Sequence, residues 1–199
     1  MQIKLTEQQK AVKKQYDDFF REEMKHAPEV YRHQTLLEAM YATDEGWAFN
    51  QYMKKKLVEK GWYVQHWPKE YGGQGAGLMD QLLFNESCAY YRSPGPDGFG
   101  VGMFGPTLIL YASEEQKKRL LPPIARAEVQ YCQGWSEPNA GSDLASLKTT
   151  AIKDGDRYVV NGQKIFISRA LQSDLMLLLA RTTPVEQVKR RTDGLSVFL

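Results

Sequence analysis

Tyr131-Cys132-Gln133-Gly134-Trp135-Ser136-Glu137-Pro138-Asn139-Ala140-Gly141-Ser142-Asp143 is the stretch around which this chain is organised. Its first residues favour a strand. Pro138, Asn139 and Gly141 then favour a turn. Small residues from 139 to 142 let backbone approach a ligand closely and leave N–H groups to face it. Ser136 and Ser142 add hydroxyls that donate or accept. Two readings stand at this level: an ordinary β-turn, or a cradle for a flat polar heterocycle or a phosphate.

A second stretch answers the first. Gly155-Asp156-Arg157-Tyr158-Val159-Val160-Asn161-Gly162-Gln163-Lys164-Ile165-Phe166-Ile167-Ser168 reads as two strands joined at Asn161-Gly162. Asn-Gly between apolar runs is a strong hairpin signal. Phe166 and Ser168, two residues apart, are then expected on one strand face. That face would offer a ring and a hydroxyl.

Together the two stretches resemble the acyl-CoA dehydrogenase family. The resemblance rests on Trp-Ser-Glu-Pro-Asn-Ala-Gly-Ser-Asp at 135–143, Asn161-Gly162-Gln163-Lys164, and Ile165-Phe166-Ile167-Ser168. Pro68-Lys69-Glu70-Tyr71-Gly72-Gly73 and Ser113-Glu114-Glu115-Gln116-Lys117-Lys118 continue it upstream, in the family's order.

The bulk properties fit a globular protein. Of 199 residues, 42% are hydrophobic and 25% charged, enough for one or two domains with a core. A net charge of +2 implies no nucleic-acid or membrane role. Met1 to Glu7 has no apolar leader core, and no run approaches a membrane span. Cys88 and Cys132 fall in different expected elements, a helix and a strand, which suits a reduced cytoplasmic protein. His26, His33 and His66 show no metal spacing. Asn85-Glu86-Ser87 matches a glycosylation sequon, which carries no weight without a secretory signal.

Taken in order, the chain is helical first. Thr6-Glu7-Gln8-Gln9 has the form of a capping box. Val12, Tyr16, Phe19 and Phe20 recur at helical spacing and predict a helix of about 20 residues with an aromatic core stripe. A second helix is expected from Asp44 to Lys60, stopping at Gly61, with Lys54-Lys55-Lys56 as a solvated face. A third spans Leu78 to Tyr91. Phe99, Val101, Met103, Phe104, Leu108 and Ile109 mix with glycines over 98–112. Ser113 caps a short helix through Leu121 that Pro122-Pro123 should stop. After Glu128 the texture turns to strands, with Thr149, Thr150, Ile152, Val159, Val160, Ile165 and Ile167. Leu175 to Ala180 is a run of strand length. Lys189-Arg190-Arg191 reads as a surface loop. Leu195 to Leu199 is an apolar strand at the chain end, as if the polypeptide stops early.

The expected fold class is α+β: a helical N-terminal domain over 1–126, then an incomplete β-barrel-like middle domain over 127–199. The resemblance implies a further C-terminal helical bundle that this chain lacks. It also implies FAD, an acyl-CoA substrate converted to the trans-2-enoyl-CoA, and electron transfer flavoprotein as acceptor. A dimer or tetramer, of like or unlike chains, goes with it. Carried over residue by residue, the cofactor contacts are Gln133, Gly134, Trp135, Ser136, Gly141, Ser142, Phe166, Ile167 and Ser168. Trp135 stands where many members have a smaller aliphatic residue. Ser136 would meet the flavin pyrimidine edge, and Ser168 the flavin N5. Gly141 and Ser142 would meet the pyrophosphate side, and Ser142 also the thioester arm of the substrate. Phe166 would lie against the flavin ring. Helix 99–110 would line part of the acyl pocket. Trp135 with Ala145-Ser146 resembles bacterial members acting on bulky or long acyl-CoAs. Glu137 and Asp143 are expected to be structural, and the glutamate base to lie in the domain this chain lacks. Two alternatives remain: a flavin oxidase of the superfamily, of the acyl-CoA or nitroalkane oxidase type, or a non-catalytic subunit completing a partner's flavin site.

Overall fold

The structure, a computed structural model, describes residues 4–199. Met1, Gln2 and Ile3, which open the stretch tested above for a leader, lie outside the described residues. The chain forms two compact units, one through Glu128 and one from Val129 to Leu199.

The first unit is helical. Its α-helices are α1 (Glu7–Glu23), α2 (Val30–His33), α3 (Leu36–Tyr41), α4 (Asp44–Glu59), α5 (Leu78–Tyr90), α6 (Gly105–Tyr111) and α7 (Glu114–Ala125). The capping box expected at Thr6 forms: Gln9 N–H donates to Thr6 Oγ1 at 3.2 Å, and Gln9 Oε1 accepts from Thr6 N–H at 2.9 Å. Tyr16, Phe19 and Phe20 are buried, as their spacing predicts. They pack edge-on against α5 and the loop after α4: Tyr16 lies 4.8 Å from Trp62 and 5.3 Å from Phe84, and Phe20 lies 5.4 Å from Phe84. Such tilted aromatic pairs add to plain area burial. Tyr16 also donates its hydroxyl to buried Gln65 at 3.1 Å.

Two sequence expectations in this unit are corrected. The helix from Ser113 does not stop at Leu121 but runs to Ala125 with both prolines inside. Proline removes a donor yet keeps its carbonyl. Arg126 N–H reaches Pro122 O at 3.1 Å, and Glu128 N–H reaches Pro123 O at 2.9 Å. Burial of Leu121 and Ile124 holds the extra turn to the core. Nor are all three lysines of α4 solvated. Lys55 is exposed, but Lys54 is buried, its ammonium 5.1 Å from the Trp47 ring centroid, where the ring face attracts the cation.

Ahead of α6, residues Gly100–Phe104 form a π-helical turn. Asp97 caps it, accepting from Gly100 N–H at 2.7 Å. The same turn supplies Val101 O to the buried Trp67 indole N–H at 3.1 Å. Gly105 sits against that indole, so close that an added Cβ would lie 2.0 Å from Trp67 Cζ2.

The second unit is a mixed sheet of β1 (Tyr131–Gly134), β2 (Thr150–Asp154), β3 (Arg157–Asn161), β4 (Leu175–Arg181) and β5 (Leu195–Phe198). Its order is β1-β4-β2-β3, with β5 paired to β4. β4 is the hub: parallel to β1 over Leu175–Leu178, parallel to β2 at Arg181, and antiparallel to β5. β2 and β3 form a hairpin in which Asp154 opposes Arg157, so the turn is Gly155-Asp156, with Gly155 at φ 61°. Strands do not fill the unit; irregular chain occupies most of 135–149 and 162–174. No helix among the described residues is long and apolar enough to cross a membrane.

The Gly105 contact generates a paired expectation. Gly105→Ala should destabilise the protein by about 1–3 kcal/mol, because the Trp67 ring must move in a filled core. Gly102→Ala, where a Cβ meets nothing within 4 Å, should stay within about 1 kcal/mol of the parent. Urea unfolding of the two variants checks this; equal losses would show that the ring is free to give way.

Candidate functional site

β1 delivers the chain to the 135–143 loop. Gly134 is demanded by close packing, since a Cβ there would lie 2.4 Å from Met176 Sδ on β4. Past Ser136 the backbone turns back on itself: Glu137 N–H bonds Ala140 O at 2.9 Å, and Ala140 N–H bonds Glu137 O at 3.1 Å.

The Glu137 side chain is the anchor of the region. It is only 7% exposed. Its carboxylate accepts Lys148 N–H at 2.6 Å, Thr149 N–H at 2.8 Å and Lys164 Nζ at 3.0 Å. Lys164 Nζ donates as well to Trp135 O at 2.9 Å. Beside it, Ile165 N–H donates to Ser136 O at 3.0 Å. Segments 135–137, 148–149 and 164–165 are thereby tied at one buried point. Burial alone would raise the Glu137 pKa; the hydrogen bonds from Thr149, Lys148 and Lys164 more than offset it and hold the value at about 2. Glu137 is therefore structural and not a proton acceptor.

The expected hairpin at Asn161-Gly162 is not there. Asn161 ends β3 opposite Thr150, and residues 162–167 are irregular. Gly162 is required instead by approach, because a Cβ would lie 2.2 Å from Thr149 Oγ1. Phe166 and Ser168 consequently share no strand face. Phe166 adopts φ 55° and is 89% exposed, and Ser168 lies in an exposed turn beside Arg169 at φ 67°. Ile167 lies between them, half-buried.

The structure brings Trp135 and Ser136 alongside Lys164 and Ile165. Gln133 is half-buried in β1. Gly141 and Ser142 are exposed, and a Cβ on Gly141 would meet nothing within 4 Å. The hydroxyls of Ser136, Ser142 and Ser168 bond to no protein group among the described residues. Asp143 holds its turn: its carbonyl accepts from Ser146 Oγ at 2.7 Å, and its carboxylate meets Arg191 at 3.1 Å.

A second anchor escaped the sequence reading. Arg181, at the end of β4, is buried and donates to Ala145 O and Arg191 O, each at 3.0 Å, and to Asp193 O at 3.2 Å. It lines a cavity of about 550 Å³ with Lys148, Thr182, Glu186 and Arg191. The one available signal was a lone arginine closing an otherwise apolar run, Leu175 to Ala180.

Comparison with known proteins agrees with this architecture. The family model described as acyl-CoA dehydrogenase, N-terminal domain, matches residues 6–128, and that of the acyl-CoA dehydrogenase middle domain matches 132–199. The chain belongs to the acyl-CoA dehydrogenase family. It is 37% identical over 199 residues to acyl-CoA dehydrogenase FadE26 of Mycobacterium tuberculosis, covering 100% of this chain and 48% of the relative. The ChsE4-ChsE5 complex of the same organism superposes with a TM-score of 0.80 at 36% identity, over 99% of this chain and 47% of that one. The Tcur3481-Tcur3483 steroid ACAD gives 0.82 at 31% identity, over 99% and 48%. The chain thus spans about half the length of the relatives it matches.

The Glu137 anchor generates two expectations. Lys164→Met leaves a buried carboxylate short of its cation and should cost about 3–5 kcal/mol. Glu137 has its pKa lowered from 4.5 to about 2 on folding. Its contribution, about 3 kcal/mol, is therefore complete above pH 4.5 and is lost as pH falls from 4.5 towards 2. Denaturant titrations between pH 7 and 2 should show that loss in the parent and a shallower one in Glu137→Gln. Superimposable pH profiles would contradict the assignment.

Proposed function

We propose that the chain carries the cofactor loop of an FAD-dependent acyl-CoA dehydrogenase that converts a bulky acyl-CoA to its trans-2-enoyl-CoA. Electron transfer flavoprotein takes the electrons. The observation that carries this reading is the 135–142 loop. It is pinned from beneath by a buried ion pair, and it presents donors that the protein itself does not use.

Those residues fit a flavin. Trp135 Nε1 is a buried donor without a partner. The hydroxyls of Ser136, Ser142 and Ser168 are likewise unclaimed. No backbone bond engages the N–H of Gly141 or Ser142, leaving both to face a phosphate. When bound, FAD supplies the acceptor for the hydride that leaves the β-carbon. The protein's part in this chain is to bind and orient. Ser136 and Ser168 hold donors towards the flavin, Phe166 and Ile167 lie against it, and Gln133 and Gly134 set the floor of the loop. Ser142 serves cofactor and thioester arm. Glu137 serves as an anchor in this reading, its carboxylate held ionised by donors from Lys148, Thr149 and Lys164.

The substrate class is a steroid-type acyl-CoA. The support is the likeness to a steroid ACAD together with Trp135 and Ala145-Ser146. A CoA thioester and two free thiols suit the reducing cytoplasm. An oligomer with an unlike chain is favoured, because both solved relatives above carry two protein names. The same observation supports a second reading, in which the chain completes a flavin site whose base comes from its partner. The division of the chain at 126/127 into helical and β domains belongs to the same proposal.

Denaturing the full-length protein should release one FAD per site, and stoichiometric FMN or nicotinamide would sink the reading. FAD retained only in the presence of a second polypeptide would favour the subunit version. Ser168→Ala should slow anaerobic reduction of the flavin by acyl-CoA roughly tenfold to a hundredfold, the worth of one hydrogen bond to a group gaining charge. An unchanged rate and spectrum with FAD bound would remove Ser168 from the site.

A further inference from the structure

Asn161-Gly162 forms no turn, yet the pair sets two reactive groups side by side. The side-chain carbonyl carbon of an asparagine can be attacked by the N–H of the next residue, closing a succinimide ring. The attack needs that N–H to be unhindered and unclaimed, and glycine, with no Cβ, hinders it least. The asparagines of this protein are Asn50, Asn85, Asn139 and Asn161. Asn50 and Asn85 lie inside α4 and α5, where the following N–H belongs to the helix ladder. After Asn139, the Ala140 N–H is donated to Glu137 O at 3.1 Å. Asn161 differs on each count. Its backbone pairs with Thr150 as the last rung of β3, an edge strand exposed along its whole length. Strand ends open readily. Among the described residues, no protein group bonds the Asn161 side chain or the Gly162 N–H. A bulkier residue after Asn161 would shield the amide, but packing forbids one, since a Cβ on Gly162 would lie 2.2 Å from Thr149 Oγ1.

We infer that Asn161-Gly162 is a site of spontaneous modification, converted through a succinimide to aspartate and isoaspartate, and that the isoaspartyl form releases Lys164 from Glu137. Gly162 N bonds to the Asn161 side-chain carbonyl carbon. The side-chain nitrogen leaves as ammonia, carrying the Gly162 N–H proton. Solvent water then adds to one of the two imide carbonyls, and no electrons change hands. Breaking the new C–N bond leaves aspartate in the original main chain. Breaking the old one leaves isoaspartate, whose main chain runs through the side chain and is longer by one carbon. That carbon falls where the chain has least room. Gly162 passes close to Thr149, and two residues on, Lys164 Nζ must reach Glu137 at 3.0 Å and Trp135 O at 2.9 Å. A displaced lysine leaves the Glu137 carboxylate buried without its cation. This chemistry needs no bound cofactor.

The test holds the full-length protein at mildly alkaline pH and body temperature and follows it by peptide mapping with mass spectrometry. The Asn161 peptide should gain the mass of amide-to-acid exchange about tenfold faster than the Asn85 and Asn139 peptides. Part of that product should accept a methyl group from protein isoaspartyl methyltransferase. In the isoaspartyl form, isolated by chromatography, the urea midpoint should fall, and amide exchange at 148–149 and 163–165 should quicken. Asn161→Asp carries the same charge on the original main chain and should match the parent in both. An Asn161 peptide that reacts no faster than those of Asn85 and Asn139 would overturn the site. Parent-like exchange at 148–149 and 163–165 in the isoaspartyl form would overturn the release of Lys164. Asn161→Asp as unstable as the isoaspartyl form would assign the loss to charge and overturn it equally.

Discussion

A carboxylate removed from water must be matched by donors, and in the β unit that demand falls on Glu137. Two backbone N–H groups and one ammonium meet it within 3.0 Å. The donors come from two stretches, 148–149 and Lys164, so satisfying one charge ties both to the segment that carries Glu137. Breaking such a pair strands a buried charge, which is why its value lies less in net stability than in permitting one arrangement of the loop. Gly162 follows from the same constraint, because the chain must pass Thr149 closely for Lys164 to reach the carboxylate.

Arg181 works in the opposite sense. Its buried guanidinium has no carboxylate among its recorded partners and is met by three carbonyls from Ala145, Arg191 and Asp193. The anion of Glu137 gathers N–H groups and the cation of Arg181 gathers carbonyls, and between them they hold both flanks of residues 138–147. Irregular chain can be rigid when its polar groups are claimed in this way. The exposed tip, Gly141-Ser142, is what remains unclaimed and available to a ligand. The helical unit achieves order by different means. Its centre is an aromatic cluster on α1, α5 and the 62–67 loop, and its closest packing is a glycine against a tryptophan ring.

Much of this was legible in the sequence, and the failures have a common cause. Periodicity found the helices, because buried faces such as Tyr16, Phe19 and Phe20 impose a repeat. Capping found their starts at Thr6 and Ser113. The order of helices, then sheet, was visible in the shift to β-branched residues. What misled was punctuation with two meanings. Asn161-Gly162 looked like a turn, but its glycine answers a steric need from Thr149, while the real turn, Gly155-Asp156, lay six residues earlier. The strand reading of 163–168 fell with it, and with that the shared face of Phe166 and Ser168. Pro122-Pro123 and Lys54 failed similarly: each rule describes an isolated helix, and burial of Ile124 and the Trp47 ring override it. Lys164 and Arg181 were silent because a buried polar partner leaves no periodic trace. Motif resemblance marked out the 135–142 loop, and only geometry shows what supports it.

In the function proposed above, the 135–142 loop and the 162–168 segment, held together through Glu137 and Lys164, form one cofactor-facing surface. Amide hydrogen exchange of the full-length protein, followed peptide by peptide with and without FAD, tests it most directly. The expected result is slowed exchange in both stretches together on adding FAD, greatest at Gly141-Ser142, with little change in α1 and α4. Protection confined to other regions, or to one of the two stretches alone, would contradict it.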